Sequence, residues 1–193
     1  MTRYRTIDII VTVIIGVTFG VAFMGYSILY TLIDPLSAAF KPIEGLLTGA
    51  WCLPPIVAML VVRKPGAALG AEMIAAMLAA LLGSHFGLAS AVSGFLQGIG
   101  VELGFALFAY KRFGWVPTVI GSLLSVFFEW IFEMIVYYPE WDVFFKSMHL
   151  VFFLISGLVI TAGLGTALVR LLAATGAINA FAPGREHART HAS

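Results

Sequence analysis

The chain has 193 residues, of which 61% are hydrophobic and 11% are charged, and its formal net charge is +1. Soluble domains average about 25% charged residues, so this composition excludes an ordinary soluble fold and predicts an integral membrane protein. The length suits a single helical domain over residues 1–193, and the net charge gives no indication of a nucleic-acid partner. The lone cysteine, Cys52, excludes an internal disulfide. No glycine-rich Walker loop occurs, so any ATP-driven step must come from another chain.

Six apolar runs are candidates for transmembrane helices. They cover residues 7–33, 43–62, 66–82, 88–110, 113–138 and 143–174. With six spans, nine of the eleven Lys and Arg residues fall on one side of the membrane, and only Lys41 and Lys146 fall on the other. Basic loops are enriched in the cytoplasm, so we expect an all-α bundle of six transmembrane helices with both termini cytoplasmic.

A ridge of small residues runs along the first span. Thr12, Gly16 and Gly20 follow one another at four-residue spacing, so they share one helix face and allow another helix to approach closely. The ridge has two interpretations, which are packing within the bundle and docking of a partner subunit.

Prolines restrict the backbone in the next part of the chain. The loop 34–44, which contains Pro35 and Pro42, is stiffened by them and could cover a site on the outer side. In the second span, Pro54 and Pro55 remove backbone donors, so we expect the helix to kink or break there.

An unpaired charge inside a span is unfavourable, and four of the acidic residues in the predicted spans form two tiers by depth. At about 1.5 Å per residue from the cytoplasmic ends, Glu72 and Glu102 lie at matching depths on the order of 10 Å. We interpret this inner pair as a structural anchor, satisfied by the nearby basic residues or by hydroxyl and backbone groups. Glu129 and Glu133 form an outer pair.

The fifth span concentrates polar side chains on one face. If the span is helical, this face carries Ser122, Ser125, Glu129, Glu133 and Tyr137. An ionised carboxylate facing lipid costs roughly 2 to 3 kcal/mol or more, so the face should point into the protein. Two acids one turn apart repel each other unless a cation or proton intervenes, which indicates a small cationic substrate. The alternative is a polar brace between helices.

Other side chains can complete an outer site for a flat cationic ring. Carboxylates offset the charge, aromatic side chains stack on the ring faces, and an amide pairs with the ring edge. The candidate substrate-binding residues are Glu129, Glu133, Gln97, Tyr137, His85, Trp130, Glu44 and Trp51. The aromatic residues also fit an interfacial belt, and His85 also fits a solvated loop position.

No catalytic, metal or cofactor site is predicted. The sequence lacks the HExxH zinc motif and the GxSxG elbow. A carboxylate pair for sugar hydrolysis would need two facing segments, which two acids on one helix do not provide. We therefore expect a binding protein and not an enzyme.

Two motifs resemble a known family. One is residues 63–68, Arg-Lys-Pro-Gly-Ala-Ala, followed by Glu72. The other is residues 94–98, Gly-Phe-Leu-Gln-Gly, followed by residues 102–106, Glu-Leu-Gly-Phe-Ala. With the six-span layout, these motifs resemble the YkoE-type substrate-binding (S) component of energy-coupling factor (ECF) vitamin transporters, and the resemblance spans nearly the whole chain.

The resemblance implies a thiamine or hydroxymethylpyrimidine uptake protein in a prokaryotic cell membrane. It implies partners, namely a transmembrane coupling (T) subunit and two ATP-binding subunits. It also implies an outer pocket, capped by the loop after the first span and lined by Glu129, Glu133, Gln97 and Tyr137. The wider group of S components docks onto the T subunit through alanines four apart on the first helix, and the matching ridge here is Gly16 and Gly20, preceded by Thr12.

Two other functions remain open at this point. The same scaffold could bind a neutral vitamin such as riboflavin, with the acids bracing helices. The chain could instead be a stand-alone carrier coupled to protons or cations, although the sequence shows no internal inverted repeat of the kind common in such carriers.

Overall fold

The computed structural model describes residues 3–84 and 86–191, and regular structure in this part of the chain is entirely helical. The α-helices are α1 (Thr6–Ile33), α2 (Leu53–Val62), α3 (Ala67–Leu81), α4 (Ala89–Ala106), α5 (Trp115–Val136), α6 (Val143–Ser156), α7 (Gly165–Ala174) and α8 (Ala182–His191). Short 3-10 turns, Asp34–Ser37, Lys41–Leu46 and Thr48–Ala50, connect α1 to α2, and the π-helical segment Gly157–Leu164 joins α6 to α7. The all-α prediction is confirmed.

Four helical stretches are long and apolar enough to cross a membrane. They are Thr6–Ser37, Lys41–Val62, Trp115–Val136 and Val143–Ala174. The apolar helix α3 is shorter, with 15 residues. The 18 residues of α4 include buried Gln97 and Glu102 among several glycines. The chain is thus a multi-helix membrane protein in which α4, with its buried amide and carboxyl groups, packs between α3 and α5.

The proline pair determines where α2 begins. Pro54 and Pro55 lie in its first turn, where a missing backbone N–H leaves no helical hydrogen bond unmade. The chain before them forms 3-10 turns instead of α-helix, so the predicted break is confirmed. All ten residues of α2 are buried, which makes this short helix the centre of the bundle.

The small-residue ridge of α1 packs inside the molecule. A Cβ built on Gly16 would lie 2.7 Å from the Cβ of Ile74, and one on Gly20 would lie 3.0 Å from the carbonyl oxygen of Ala75. Thr12 is buried and donates its hydroxyl to the carbonyl oxygen of Asp8. Because α3 already covers this ridge, the expectation that Thr12, Gly16 and Gly20 contact a partner subunit is corrected to packing of α1 on α3.

Charge pairs join the helices at the end of the bundle opposite the proline-containing loop between α1 and α2. Asp8 accepts hydrogen bonds from Arg5 and Lys64, which ties α1 to the turn before α3. Arg63 forms a bidentate pair with Glu186, at 2.6 and 2.8 Å, which ties α8 to the end of α2. These pairs hold together the end at which most basic residues are placed.

Glu102 is anchored by backbone groups and one hydroxyl. Its Oε1 accepts from the backbone N–H of Ala68 at 3.0 Å and of Leu69 at 3.3 Å, and its Oε2 accepts from Tyr110 at 2.8 Å. A carboxylate at a helix N-terminus is favoured by the unpaired N–H groups there. The expected structural anchor is therefore confirmed for Glu102, with these groups in place of its basic neighbours.

Close contact of α4 with α5 places polar residues of the two helices opposite each other. A Cβ built on Gly100 would lie 2.5 Å from the Cα of Ser125, and one on Gly104 would overlap the backbone of Gly121. Only glycine permits this approach. One turn beyond the contact, Gln97 of α4 and Glu129 of α5 face the same interior space.

Candidate functional site

A cavity opens between α3, α4 and α5 at one end of the bundle. Its interior space is about 50 Å³, and a wider space of about 270 Å³ adjoins it at Phe86, Glu133 and Tyr137. Each of the three helices contributes a polar side chain from its buried face: Glu72 from α3, Gln97 from α4 and Glu129 from α5. Glu133 and Tyr137 extend this lining along α5.

Ser93 connects the amide and one carboxylate of the cavity. Its hydroxyl donates to Glu129 Oε1 at 2.7 Å and accepts from Gln97 Nε2 at 2.8 Å. Both partners are almost fully buried, and each keeps one oxygen without a hydrogen-bond partner among the described residues. An unpartnered buried acceptor is costly, so these oxygens are suited to receive donors from a bound molecule.

Glu133 lies where the cavity meets a wider vestibule. The vestibule is lined by Tyr30, Asp34, Lys41, Phe86, Ala89, Glu133, Tyr137 and Tyr138. Glu133 Oε2 lies 3.1 Å from His149 Nε2, and His149 Nδ1 lies 2.9 Å from the carbonyl oxygen of Pro42. The carboxylate is therefore linked through one imidazole to the loop between α1 and α2, which contributes Asp34 and Lys41 to the vestibule.

Glu72 belongs to this cavity and not to an inner structural pair. It is 1% exposed, it lines the cavity, and its Oε2 has no hydrogen-bond partner in the described part of the chain. The pairing with Glu102 predicted from depth is wrong because the two side chains leave their helices in different directions. Glu102 turns to the N-terminus of α3, whereas Glu72 turns towards Gly94.

Aromatic rings form the remaining walls. Trp51 and Phe23 have ring centroids 4.6 Å apart and line the cavity on the side of α1. Phe86 lines both the cavity and the vestibule, with its centroid 5.7 Å from that of Trp51 and 6.2 Å from that of Tyr137. The site thus combines three carboxylates, one amide and flat aromatic surfaces, which suits a planar cation.

The structure brings together five of the eight candidate residues and separates two others from them. Gln97, Trp51, Glu129, Glu133 and Tyr137 line the cavity. His85 lies outside the described residues.

Glu44 and Trp130 are occupied elsewhere. Glu44 is buried and accepts hydrogen bonds from Tyr30 and Ser37, so it braces the loop between α1 and α2 and does not line the cavity. Trp130 lies about 100° around α5 from Glu129 and donates its indole N–H to the carbonyl oxygen of Lys146 at 3.2 Å. The interpretation of these two residues as substrate contacts is corrected accordingly.

The lining residues that sequence reasoning missed include Glu72, Ser93 and Phe86. Ser93 could have been predicted from the sequence, because it lies one turn before Gln97 on the same helix face. In the described residues, no cluster of three or more His, Cys, Asp or Glu side chains is spaced to hold a metal ion.

Comparison with known proteins identifies the family of the chain. Residues 7–128 match the family described as "ABC-type cobalt transport system, permease component". The chain is 30% identical over 191 residues to the "Putative HMP/thiamine permease protein YkoE" of Bacillus subtilis (strain 168), covering 96% of this chain and 93% of the relative. A solved structure described as "Crystal structure of an S-component of ECF transporter" is 28% identical, with a TM-score of 0.89 over 98% of this chain and 95% of that chain. The chain therefore belongs to the YkoE family of S components of energy-coupling factor transporters, within the group described as ABC-type cobalt transport permeases.

Proposed function

We propose that this S component captures thiamine, or its hydroxymethylpyrimidine precursor, in the cavity between α3, α4 and α5. The observation that carries the proposal is the convergence of Glu72, Glu129 and Glu133 on one cavity, whose lining in the described part of the chain includes no Lys or Arg side chain. Among the described residues, Glu72 and Glu129 form no ion pair, and Glu133 contacts only the imidazole of His149. Buried carboxylates with so little positive charge beside them favour a cationic ligand, and the thiazolium ring of thiamine carries a permanent positive charge. Trp51 and Phe86 supply flat surfaces for its rings.

The similarity to YkoE supports the choice of vitamin, since that relative is named a putative HMP/thiamine permease. As an S component, the chain binds substrate, and ATP hydrolysis is assigned to two ATP-binding subunits acting through a transmembrane T subunit. The chain itself is a binding subunit and needs no cofactor for this role.

The proposed topology is a single domain of six transmembrane helices with both termini in the cytoplasm of a prokaryotic cell. Besides the four long apolar helices, α3 and α4 would cross the bilayer within the bundle. The charge distribution supports this orientation, because the pairs Lys64 with Asp8 and Arg63 with Glu186 lie at one end and the vestibule with Lys41 at the other. The vestibule then faces the outside.

The experiment that tests the function is identification and titration of the ligand. Mass spectrometry of ligand extracted from the purified chain should detect thiamine or hydroxymethylpyrimidine. Calorimetric titration should show 1:1 binding of thiamine, weakened by about 10-fold or more in Glu129→Gln and in Glu133→Gln. The matched control is Glu140→Gln, an exposed acid after α5, which should bind as the native chain does.

Three results would contradict the proposal. Extraction of a neutral vitamin such as riboflavin would identify a different substrate. Unchanged thiamine affinity in both acid variants would remove the electrostatic mechanism. Uptake by this chain alone in liposomes, driven by an ion gradient without ATP-binding partners, would indicate a stand-alone carrier.

A further inference from the structure

The helix α8 is attached across the end of the bundle that carries most of the basic residues. Phe181, immediately before α8, is 3% exposed, and its ring centroid lies 5.5 Å from the guanidinium carbon of Arg5. Within α8, Glu186 forms its bidentate pair with Arg63 at the end of α2. One side of the helix is therefore held by packing and by charge, and the other side is free to meet surroundings outside the bundle.

The same arginine places α8 beside the connection between α4 and α5. The guanidinium carbon of Arg63 lies 5.4 Å from the ring centroid of Phe113, while its nitrogens bind Glu186. Lys111 and Arg112 immediately precede Phe113, and both are exposed. The basic residues of this connection are thus brought next to α8, although more than 70 residues separate them from it in the chain.

Four exposed basic side chains surround this junction, and we call them the basic face. They are Lys111, Arg112, Arg185 and Arg189. Arg185 and Arg189 are one turn apart, so they lie on the same side of α8. Among the described residues, none of the four forms an ion pair. The carboxylates of this end are bound by other groups, namely Asp8, Glu102 and Glu186. The basic face therefore carries positive charge that the described part of the chain does not pair.

Exposed apolar side chains beside the basic face place it at the surface of the bilayer. Trp115 and Val116, which follow Arg112 closely, are 52% and 59% exposed. Leu107, one turn before Lys111, is 72% exposed. In a membrane-spanning chain such side chains face lipid, and tryptophan is enriched at the level of the headgroups. Lys and Arg next to this tryptophan are consequently at the level of the lipid phosphates.

We propose that the basic face binds the phosphate groups of anionic phospholipids in the cytoplasmic leaflet and thereby seats α8 on the membrane surface. The inference rests on the topology given with the proposed function, which places this end in the cytoplasm. Anionic lipids attract Lys and Arg close to the membrane, and a guanidinium binds phosphate through paired hydrogen bonds. A bilayer fits this face better than an acidic soluble protein does, because lipid also covers the adjoining apolar side chains.

The test is native mass spectrometry of the full chain in micelles that contain equal amounts of phosphatidylglycerol and phosphatidylcholine with identical acyl chains. The native chain should retain phosphatidylglycerol over phosphatidylcholine by about 10-fold or more. Two double variants, Arg185→Gln with Arg189→Gln and Lys111→Gln with Arg112→Gln, should each lower this preference to about 3-fold or less.

Two control variants separate the charge of the basic face from other effects. Arg185→Lys with Arg189→Lys keeps both positive charges, so it should keep most of the preference. Lys146→Gln removes a positive charge at the opposite end of the bundle and should retain the native preference. Melting temperatures in neutral detergent without anionic lipid should agree among all variants, which shows that each of them folds. Added phosphatidylglycerol should raise the melting temperature of the native chain more than that of either Gln double variant, and millimolar inorganic phosphate should not raise it.

Four results would overturn the inference. The first is equal retention of the two lipids by the native chain, and the second is an unchanged preference in both Gln double variants. The third is equal stabilisation by inorganic phosphate, which would indicate a site for free anions. The fourth is loss of assembly with the T and ATP-binding subunits in Arg185→Gln with Arg189→Gln while the lipid preference is retained, which would make the face a contact for a partner subunit. Since none of these measurements uses thiamine, their failure leaves the proposed substrate standing, and failure of the thiamine titration leaves the lipid measurements valid.

Discussion

His149 holds Glu133 from the side of α6, with 3.1 Å between its Nε2 and Glu133 Oε2. The other ring nitrogen lies 2.9 Å from the carbonyl oxygen of Pro42, in the loop that follows α1. The ring is 1% exposed and contacts the rings of Tyr138, Trp141 and Phe153. One buried imidazole thus contacts both a carboxylate of the cavity and the loop that contributes Lys41 to the vestibule.

Replacing His149 by Ala should loosen both contacts. We expect the free energy of unfolding to fall by about 1 to 3 kcal/mol, because Glu133 and the carbonyl oxygen of Pro42 each lose a buried partner. Hydrogen exchange in residues 41–46 should accelerate, and thiamine should dissociate faster. Ser147→Ala, in the exposed part of the same helix, is the control. Equal exchange rates in the native chain and His149→Ala would show that the imidazole does not restrain the loop.

Ser93→Ala should misalign two cavity groups at once. Without the hydroxyl, Gln97 Nε2 and Glu129 Oε1 lose their common partner, and the amide is free to turn its nitrogen towards the ligand. We expect thiamine affinity to fall by about 10-fold in calorimetric titration. A Ser93→Thr variant keeps the hydroxyl and should recover much of the affinity. Native affinity in Ser93→Ala would mean that Gln97 and Glu129 are oriented by other contacts.

Part of the fold and of this site follows from sequence, because helical periodicity is local. The spacing of Glu129, Glu133 and Tyr137 correctly predicts one inward face of α5, and the proline pair correctly predicts where the regular part of the second span begins. The same periodicity places Trp130 about 100° away from Glu129 around the helix. Its position outside the cavity could therefore have been predicted from the sequence.

Other features depend on how helices are rotated against each other, which depth along a span does not determine. Glu72 and Glu102 lie at similar depths, yet one enters the cavity and the other caps α3. The helix α3 is rich in alanine, so its sequence has no polar stripe that would indicate the direction of Glu72. The ridge of Gly16 and Gly20 shows that some helix packs closely there, but not which helix does so.

Phe86 separates the cavity from the vestibule, and its removal should speed ligand exchange. Its ring contacts Tyr30, Trp51 and Tyr137 at centroid distances of about 6 Å. In Phe86→Ala, we expect the dissociation rate of thiamine to rise more than the association rate, as measured by stopped-flow quenching of tryptophan fluorescence. Leu88→Ala, at a 79% exposed position in the same connection, should leave both rates as in the native chain. An unchanged dissociation rate in Phe86→Ala would exclude a gating role for the ring.

The attachment of α8 should weaken in acid. The Arg63 guanidinium holds the pKa of Glu186 below its ordinary value, which is about 4.3. A carboxyl group whose pKa is lowered by folding stabilises the folded chain at pH values above its pKa in the unfolded chain. This stabilisation is lost as the pH falls through the lower pKa of the folded chain. Because the Glu186 side chain is 60% exposed, the effect should be small and confined to α8. Hydrogen exchange in Ala182–His191 should accelerate below about pH 4 in the native chain and show no such step in Glu186→Gln.

The ridge of α1 offers a comparison between two glycines of one helix. At Gly16, a Cβ would lie 2.7 Å from the Cβ of Ile74 and 2.8 Å from the carbonyl oxygen of Ala71, whereas at Gly25 it would meet nothing within 4 Å. We expect Gly16→Ala to force α1 away from α3 and to lower the free energy of unfolding by about 1 to 3 kcal/mol. Gly25→Ala should be neutral or stabilising, since alanine favours the helix by up to about 1 kcal/mol. Thermal unfolding of the isolated chain measures the stability of both variants in the absence of any partner subunit. If Gly16→Ala instead matched Gly25→Ala in stability and reduced only transport with the T and ATP-binding subunits, the ridge would be a docking surface and its packing on α3 would be incidental.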